Sequence, residues 1–192
     1  MAYIARFARA RDVRVAILSR GYGAEDGRND EARLLEDNLP DVPHLQGPDR
    51  AALARVAVEE LESEVLILDD GFQHRRLHRD LDIVLIDATA PWGCGYVFPR
   101  GLLREPPRNL RRADLVLLTR CDQVDRESLR RLRARVGRKA PGIPLVETSH
   151  RPAAWMTADK TTRPLDDLRH RPVAAFCGIG NPDAFRRTLT QL

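Results

Sequence analysis

A chain of 192 residues with 43% hydrophobic and 31% charged residues has a globular rather than a disordered profile, and its length suits one domain or one and a half. Three cysteines, Cys94, Cys121 and Cys177, form an odd number with no CxxC pair, which argues against a disulfide framework, a structural zinc and an oxidising compartment. A net charge of +4 spread along the chain, 5% aromatic residues and no run near the roughly 20 apolar residues of a membrane span exclude the footprints of a nucleic-acid binder, a secreted protein and an integral-membrane protein.

Short apolar, β-branched runs alternate with charged amphipathic segments, the signature of repeated βαβ units and a mostly parallel sheet with helices on both faces. A helix is predicted over Ala2–Arg11 and a strand over Val13–Ser19. Gly21–Asn29 reads as a loop, after which Asn29-Asp30-Glu31 opens another helix. A helix over Asp49–Ser63 leads to strands at Val65–Asp69 and Ile83–Asp87. Ala88–Arg112 is a loop long enough to suggest function. Further on come a strand at Leu115–Thr119, a helix over Asp125–Val136 capped by Asp125, and a strand at Leu145–Thr148. The loop His150–Arg171, a strand at Val173–Gly178 and a helix over Pro182–Leu192 capped by Asn181 complete the series. In domain terms, residues 1–150 form the α/β core, 151–171 a linker and 172–192 the start of a further part.

Several segments carry groups suited to phosphate chemistry. Val65-Leu66-Ile67-Leu68-Asp69-Asp70-Gly71 is a buried strand ending in two carboxylates, placed at the sheet edge where open α/β folds bind ligands. Adjacent carboxylates repel unless a cation or donors compensate, so the pair suits a metal ion as well as a simple turn cap. Ser19-Arg20-Gly21-Tyr22-Gly23 follows the first strand, with glycines that admit a close ligand and an arginine fork for an anion. Asp30 and Glu31 stand where a helix begins, favourable to the helix dipole and available as a general base. Gly93-Cys94-Gly95 and Pro99–Pro107 form a rigid arginine-bearing loop, whose apolar Trp92, Tyr96, Val97, Phe98, Leu102 and Leu103 face either acyl chains or the core.

Other patterns are weaker. His74 and His78 have helical metal-ligand spacing but no third ligand, and arginines surround them. Thr119-Arg120-Cys121-Asp122 resembles the base-reading motif of small GTPases with arginine in the lysine position. G-x-x-x-x-G-K-[ST] occurs nowhere in the 192 residues.

In order, Val15–Gly23, Asp30-Glu31, Leu68–His74, Gly93-x-Gly95, Pro99-x-Gly101-x-Leu103-Arg104-Glu105-Pro106 and Phe176–Pro182 resemble the tetraacyldisaccharide 4′-kinase (lipid A 4′-kinase) family over the whole chain. The resemblance implies a P-loop, Rossmann-like α/β enzyme working peripherally at the cytoplasmic face of a Gram-negative inner membrane. Such an enzyme transfers the γ-phosphate of ATP, with Mg2+, to the 4′-hydroxyl of an acylated glucosamine disaccharide 1-phosphate, giving lipid IV-A. It implies Asp30 as general base assisted by Glu31, and Asp69 and Asp70 as magnesium ligands. Arg20, Tyr22, Gln73, His74, Arg104 and Glu105 would line the nucleotide and head-group cleft, with residues 88–112 as the head-group loop. The family's Gly-Lys-Thr loop would precede Ala2 and a histidine-bearing part would follow Leu192, so the chain is expected to be a kinase truncated at both ends and inactive by itself. A GTPase-like hydrolase and a non-catalytic remnant binding lipid head groups are the alternatives.

Overall fold

A computed structural model of the chain describes residues 1–21 and 30–192, the side chains of Asp30 and Glu31 excepted. Two compact units result, Met1–Asp80 and Leu81–Leu192. The predicted loop Gly21–Asn29 falls, beyond Gly21, outside the described residues.

In the first unit the elements run α1 (Ala2–Arg9), β1 (Val15–Ser19), α2 (Asp30–Asn38), β2 (His44–Gln46), α3 (Arg50–Glu59) and β3 (Val65–Leu68). The sheet order is β2-β1-β3, every pair parallel, with Leu18 opposite both Leu45 and Leu68. All five residues of β1 are buried because helices cover both faces. Val15 and Ile17 pack with Ala5 of α1 and with Leu35, Leu39 and Val42 of α2 and the turn after it. Ala16 and Leu18 point the other way, against Ala54 and Ala57 of α3. Alternation along a strand thus feeds two cores, and the alanines on the facing helices let their backbones come close. Asp49 starts α3 by accepting from the amides of Ala51 (3.1 Å) and Ala52 (3.2 Å).

The second unit holds β4 (Ile83–Asp87), β5 (Leu115–Thr119), α4 (Arg126–Lys139), β6 (Leu145–Glu147), a small antiparallel pair β7 (Trp155–Met156) and β8 (Thr162–Arg163), and α5 (Pro182–Thr190). Its main sheet, β4-β5-β6, is again wholly parallel, with Leu85 opposite Leu117 and Leu117 opposite Val146. Val116 and Leu118 of β5 and Val136 of α4 are fully buried, and Leu132 beside Val136 on the inner stripe of α4 is buried. The sheet's other side is more open, with Leu85 and Val146 exposed.

The mostly parallel α/β class is therefore as read from the sequence, and every predicted strand but one is found, with ends that differ by at most two residues. The exception is Val173–Gly178, which is not a strand: residues 171–180 are all exposed, and Phe176 is 98% accessible. An apolar run makes a strand only where a neighbouring edge and a covering face accept it, and this run pairs with no strand of the described sheets. Conversely β2, with Leu45 as its one apolar residue, was not predicted. Nor was the hairpin β7–β8, two residues a side, within His150–Arg171. Residues 88–112 carry two short 3-10 helices, Gly93–Gly95 and Pro107–Arg112.

Candidate active site

The C-terminal edge of the β2-β1-β3 sheet collects the first unit's chemistry. Parallel pairing places the ends of β1 and β3 side by side, so Ser19-Arg20-Gly21 and Asp69-Asp70-Gly71 leave the sheet together. The amide of Asp69 donates to the carbonyl of Leu18 at 2.8 Å, carrying the pairing to the first acid. Asp70 then takes a left-handed backbone conformation (φ 50°), and a Cβ on Gly71 would lie 2.8 Å from that of Leu68. The chain reverses there within two residues. Asp69 remains partly buried at the strand end while Asp70 is exposed.

Arg50, the first residue of α3, holds this turn. Arg50 is only 5% exposed and donates through Nη1 to the carbonyl of Asp70 at 3.0 Å. Asp49 beside it caps the helix, and the amide of Ala52 above all keeps its carboxyl below the usual carboxylate range. The sequence reading used Asp49 only as a helix start and passed over Arg50; a basic residue in a helix's first turn, against the dipole, was the available signal.

His74 follows in the same turn, its amide donating to the carbonyl of Gly71 at 2.9 Å. Burial, followed by the charges of Arg50, Arg76 and Arg79, holds its imidazole below the usual histidine range. The neutral imidazole is thereby favoured. The segment around His74 and His78 is a series of turns and not a helix, so the i, i+4 spacing does not bring the two rings onto one helical face. Arg20 and Gln73 are exposed at the same edge. Asp30 is the first residue of α2. Tyr22 and the side chains of Asp30 and Glu31 lie outside the described residues.

A histidine that the sequence reading did not single out completes the edge. His44 Nε2 lies 2.9 Å from Ser19 Oγ, and Gln46 Nε2 donates to the same oxygen at 3.2 Å. Ser19 is only 3% exposed. Burial lowers the pKa of His44, against an upward pull from Asp69 and Glu36.

Arg104 and Glu105 belong to the second unit. Glu105 accepts from Arg112 Nη2 (3.0 Å) and from Asn109 Nδ2 (2.6 Å), so its carboxylate staples the Pro107–Arg112 turn to the preceding loop. At the C-terminal edge of the β4-β5-β6 sheet, Asp87 pairs with Arg120 and accepts from the amide (2.9 Å) and hydroxyl (2.7 Å) of Thr89. Asn181, the N-cap of α5, donates to Thr89 Oγ1 at 2.9 Å. Burial alone would raise the pKa of Asp87, but the Thr89 hydrogen bonds, Arg120 and Asn181 together lower it. Arg120, the cation of the Thr119–Asp122 motif, is engaged inside the fold in this way.

No group of three or more His, Cys, Asp or Glu side chains close enough to hold a metal ion occurs among the described residues. Two strand-end carboxylates nevertheless fit magnesium, which takes hard oxygen ligands and commonly uses one or two carboxylates with phosphate oxygens and water for the rest.

The sequence profile of tetraacyldisaccharide-1-P 4′-kinase matches residues 1–192. The chain belongs to this family. Curated tetraacyldisaccharide 4′-kinases similar to it include one from Anaeromyxobacter dehalogenans strain 2CP-C, 48% identical over all of this chain and 55% of the relative's length. Another, from Syntrophus aciditrophicus, is 40% identical over 98% of this chain and 57% of its own. A third, from Geobacter metallireducens, is 39% identical over all of this chain and 59% of its own. The chain thus spans little more than half the length of the kinases it matches. No solved structure matches it. As a member of a P-loop kinase family it has the mostly parallel α/β architecture described above, and no helix among the described residues is long and apolar enough to cross a membrane.

Proposed function

We propose that the protein containing this chain transfers the γ-phosphate of ATP to the 4′-hydroxyl of tetraacyldisaccharide 1-phosphate, giving lipid IV-A at the cytoplasmic face of an inner membrane. The observation that carries this reading is the Asp69-Asp70-Gly71 turn beside Ser19-Arg20-Gly21 at one sheet edge, in a chain of this kinase family.

Asp69 and Asp70 would hold Mg2+, which would supply positive charge to offset that of the nucleotide phosphates. Arg50 fixes the carbonyl of Asp70, which keeps the second acid's backbone in its left-handed turn. Arg20 offers a guanidinium fork to a phosphate, and Gly21 leaves the backbone beside it open to close approach. Asp30, with Glu31 beside it at the start of α2, would accept the proton of the attacking hydroxyl. Tyr22, Gln73 and the neutral His74 would line the same edge as hydrogen-bonding groups that add no charge. In the second unit, Arg104 would contribute charge toward the anionic acceptor, while Glu105 keeps the head-group loop folded. Phosphoryl transfer depends chiefly on positioning and charge neutralisation, which these groups supply in part. The 192 residues contain no Gly-Lys-Ser/Thr phosphate cradle, so by themselves they are proposed to be inactive.

A chimera tests the assignment. In the Anaeromyxobacter dehalogenans kinase, the region matched by this chain is replaced by it, and transfer of label from [γ-32P]ATP to the disaccharide 1-phosphate is followed. The chimera is expected to label the 4′ position with ATP and to be indifferent to competing GTP. A chimera that folds and hydrolyses GTP without labelling the lipid would overturn the reading.

A further inference from the structure

The loop between β4 and β5 exposes large apolar side chains without being loose. Phe98 and Leu102 are each 78% exposed and Tyr96 is 47% exposed. Four backbone hydrogen bonds knit the segment behind them: Leu102 to Gly93 (2.8 Å), Phe98 to Leu103 (2.9 Å), Leu103 to Tyr96 (3.1 Å) and Gly101 to Val97 (3.2 Å), each amide to carbonyl. Val97 and Leu103 also form a β-bridge, so Phe98 and Leu102 sit on the two limbs of one tight turn. Gly101 is buried at its centre, where a Cβ would come within 2.3 Å of the Tyr96 carbonyl oxygen. The two side chains are held outward by their backbone, at a cost in exposed apolar area that a partner would relieve.

Charge identifies the partner. Between Tyr96 and Arg112 the chain carries Arg100, Arg104, Arg108, Arg111 and Arg112 against a single acid, Glu105. Arg100 lies over the ring of Tyr96, 3.7 Å from its centroid, so a cation and an amphipathic aromatic stand together at the turn. Apolar tips flanked by guanidinium groups and by a tyrosine match the layering of an anionic bilayer surface, with hydrocarbon below and phosphates above.

We propose that the Tyr96–Leu102 turn is a membrane-docking wedge, in which Phe98 and Leu102 enter the acyl region of an anionic bilayer and the flanking arginines hold lipid phosphates. The choice of a lipid surface rests on the kinase reading, which supplies an acceptor resident in a bilayer. Binding is measured without nucleotide, however, so either can fail alone.

The test is co-sedimentation of the 192-residue chain with vesicles of phosphatidylcholine, alone or mixed with phosphatidylglycerol. The chain is expected to bind the mixed vesicles, to bind phosphatidylcholine weakly, and to lose affinity at least about tenfold in the double variant Phe98→Ser/Leu102→Ser. Leu85→Ser, which removes an exposed leucine elsewhere in the same unit, leaves binding unchanged. Phe98→Trp serves as a second readout: its added fluorescence is expected to be quenched by lipids brominated along the acyl chain. Equal binding to both vesicle types, undiminished binding by the double variant, or an unquenched Trp signal overturns the proposal. So does vesicle-independent self-association that the double variant abolishes, which would assign the turn to a protein partner.

Discussion

Asp70 and Gly71 show how closely a turn is specified by single residues. Asp70 holds a left-handed backbone whose carbonyl accepts from the buried Arg50, and Gly71 is the residue whose missing Cβ makes room for the side chain of Leu68. Replacing Gly71 with Ala is therefore expected to destabilise the chain by about 1–3 kcal/mol through overpacking, read as a lower urea midpoint at constant slope. His44 gives a second prediction. Its folded pKa is depressed by burial, so the unfolded chain binds the extra proton and this histidine contributes its full share only above its unfolded pKa near 6.5. Stability is expected to fall as pH drops below that value, and His44→Gln to flatten the dependence in urea melts between pH 7 and 5. The twin acids and Ser19-Arg20-Gly21 were legible in the sequence because short motifs keep reactive groups contiguous. His44 and Arg50 were not, since each reaches the edge from a different element and only the folded register brings them there.

At the scale of elements, apolar runs decided the strands and tertiary context corrected them. Val65–Leu68 and Leu115–Thr119 announced themselves as nearly continuous apolar segments, whereas His44–Gln46 is a strand by virtue of the buried edge it joins. Val173–Gly178 has the composition of a strand and lies in the open. What ties the following helix to the sheet is polar: Asn181 caps α5 and reaches Thr89, which reaches Asp87, which pairs with Arg120. This chain of contacts had no sequence signature, because its members are separated by up to 94 positions. Asp87→Asn, which removes the charge from that group, is expected to cost about 2 kcal/mol at pH 7. With a folded pKa held below the ordinary aspartate value of 3.8, Asp87 contributes fully above pH 4 and loses its contribution as pH falls through that lower value. Variant and wild type should accordingly converge in stability at the acid end of a pH series of denaturant melts.

For the whole molecule, the family profile covers every residue while the chain covers 55% of its Anaeromyxobacter relative. The fold class was readable because alternating apolar and amphipathic segments leave few topologies open. The division into Met1–Asp80 and Leu81–Leu192 was not, because it depends on which contacts form rather than on any composition break at Asp80. The sequence without a Gly-Lys-Ser/Thr cradle leads to a further expectation. The 192-residue polypeptide alone should turn over ATP and acceptor at least about 10²-fold more slowly than the chimera, the order lost when one set of preorganised anion-stabilising donors is missing.

The proposed role of Asp69 and Asp70 is to hold the magnesium that accompanies the nucleotide. Its most direct test is the initial rate of the chimera against Mg2+ concentration at fixed ATP, with Asp69→Asn and Asp70→Asn as variants. The variants are expected to need at least about tenfold more Mg2+ for half-maximal rate, while the KM for the lipid acceptor is unchanged. Magnesium curves that superimpose on that of the unmodified chimera would contradict it.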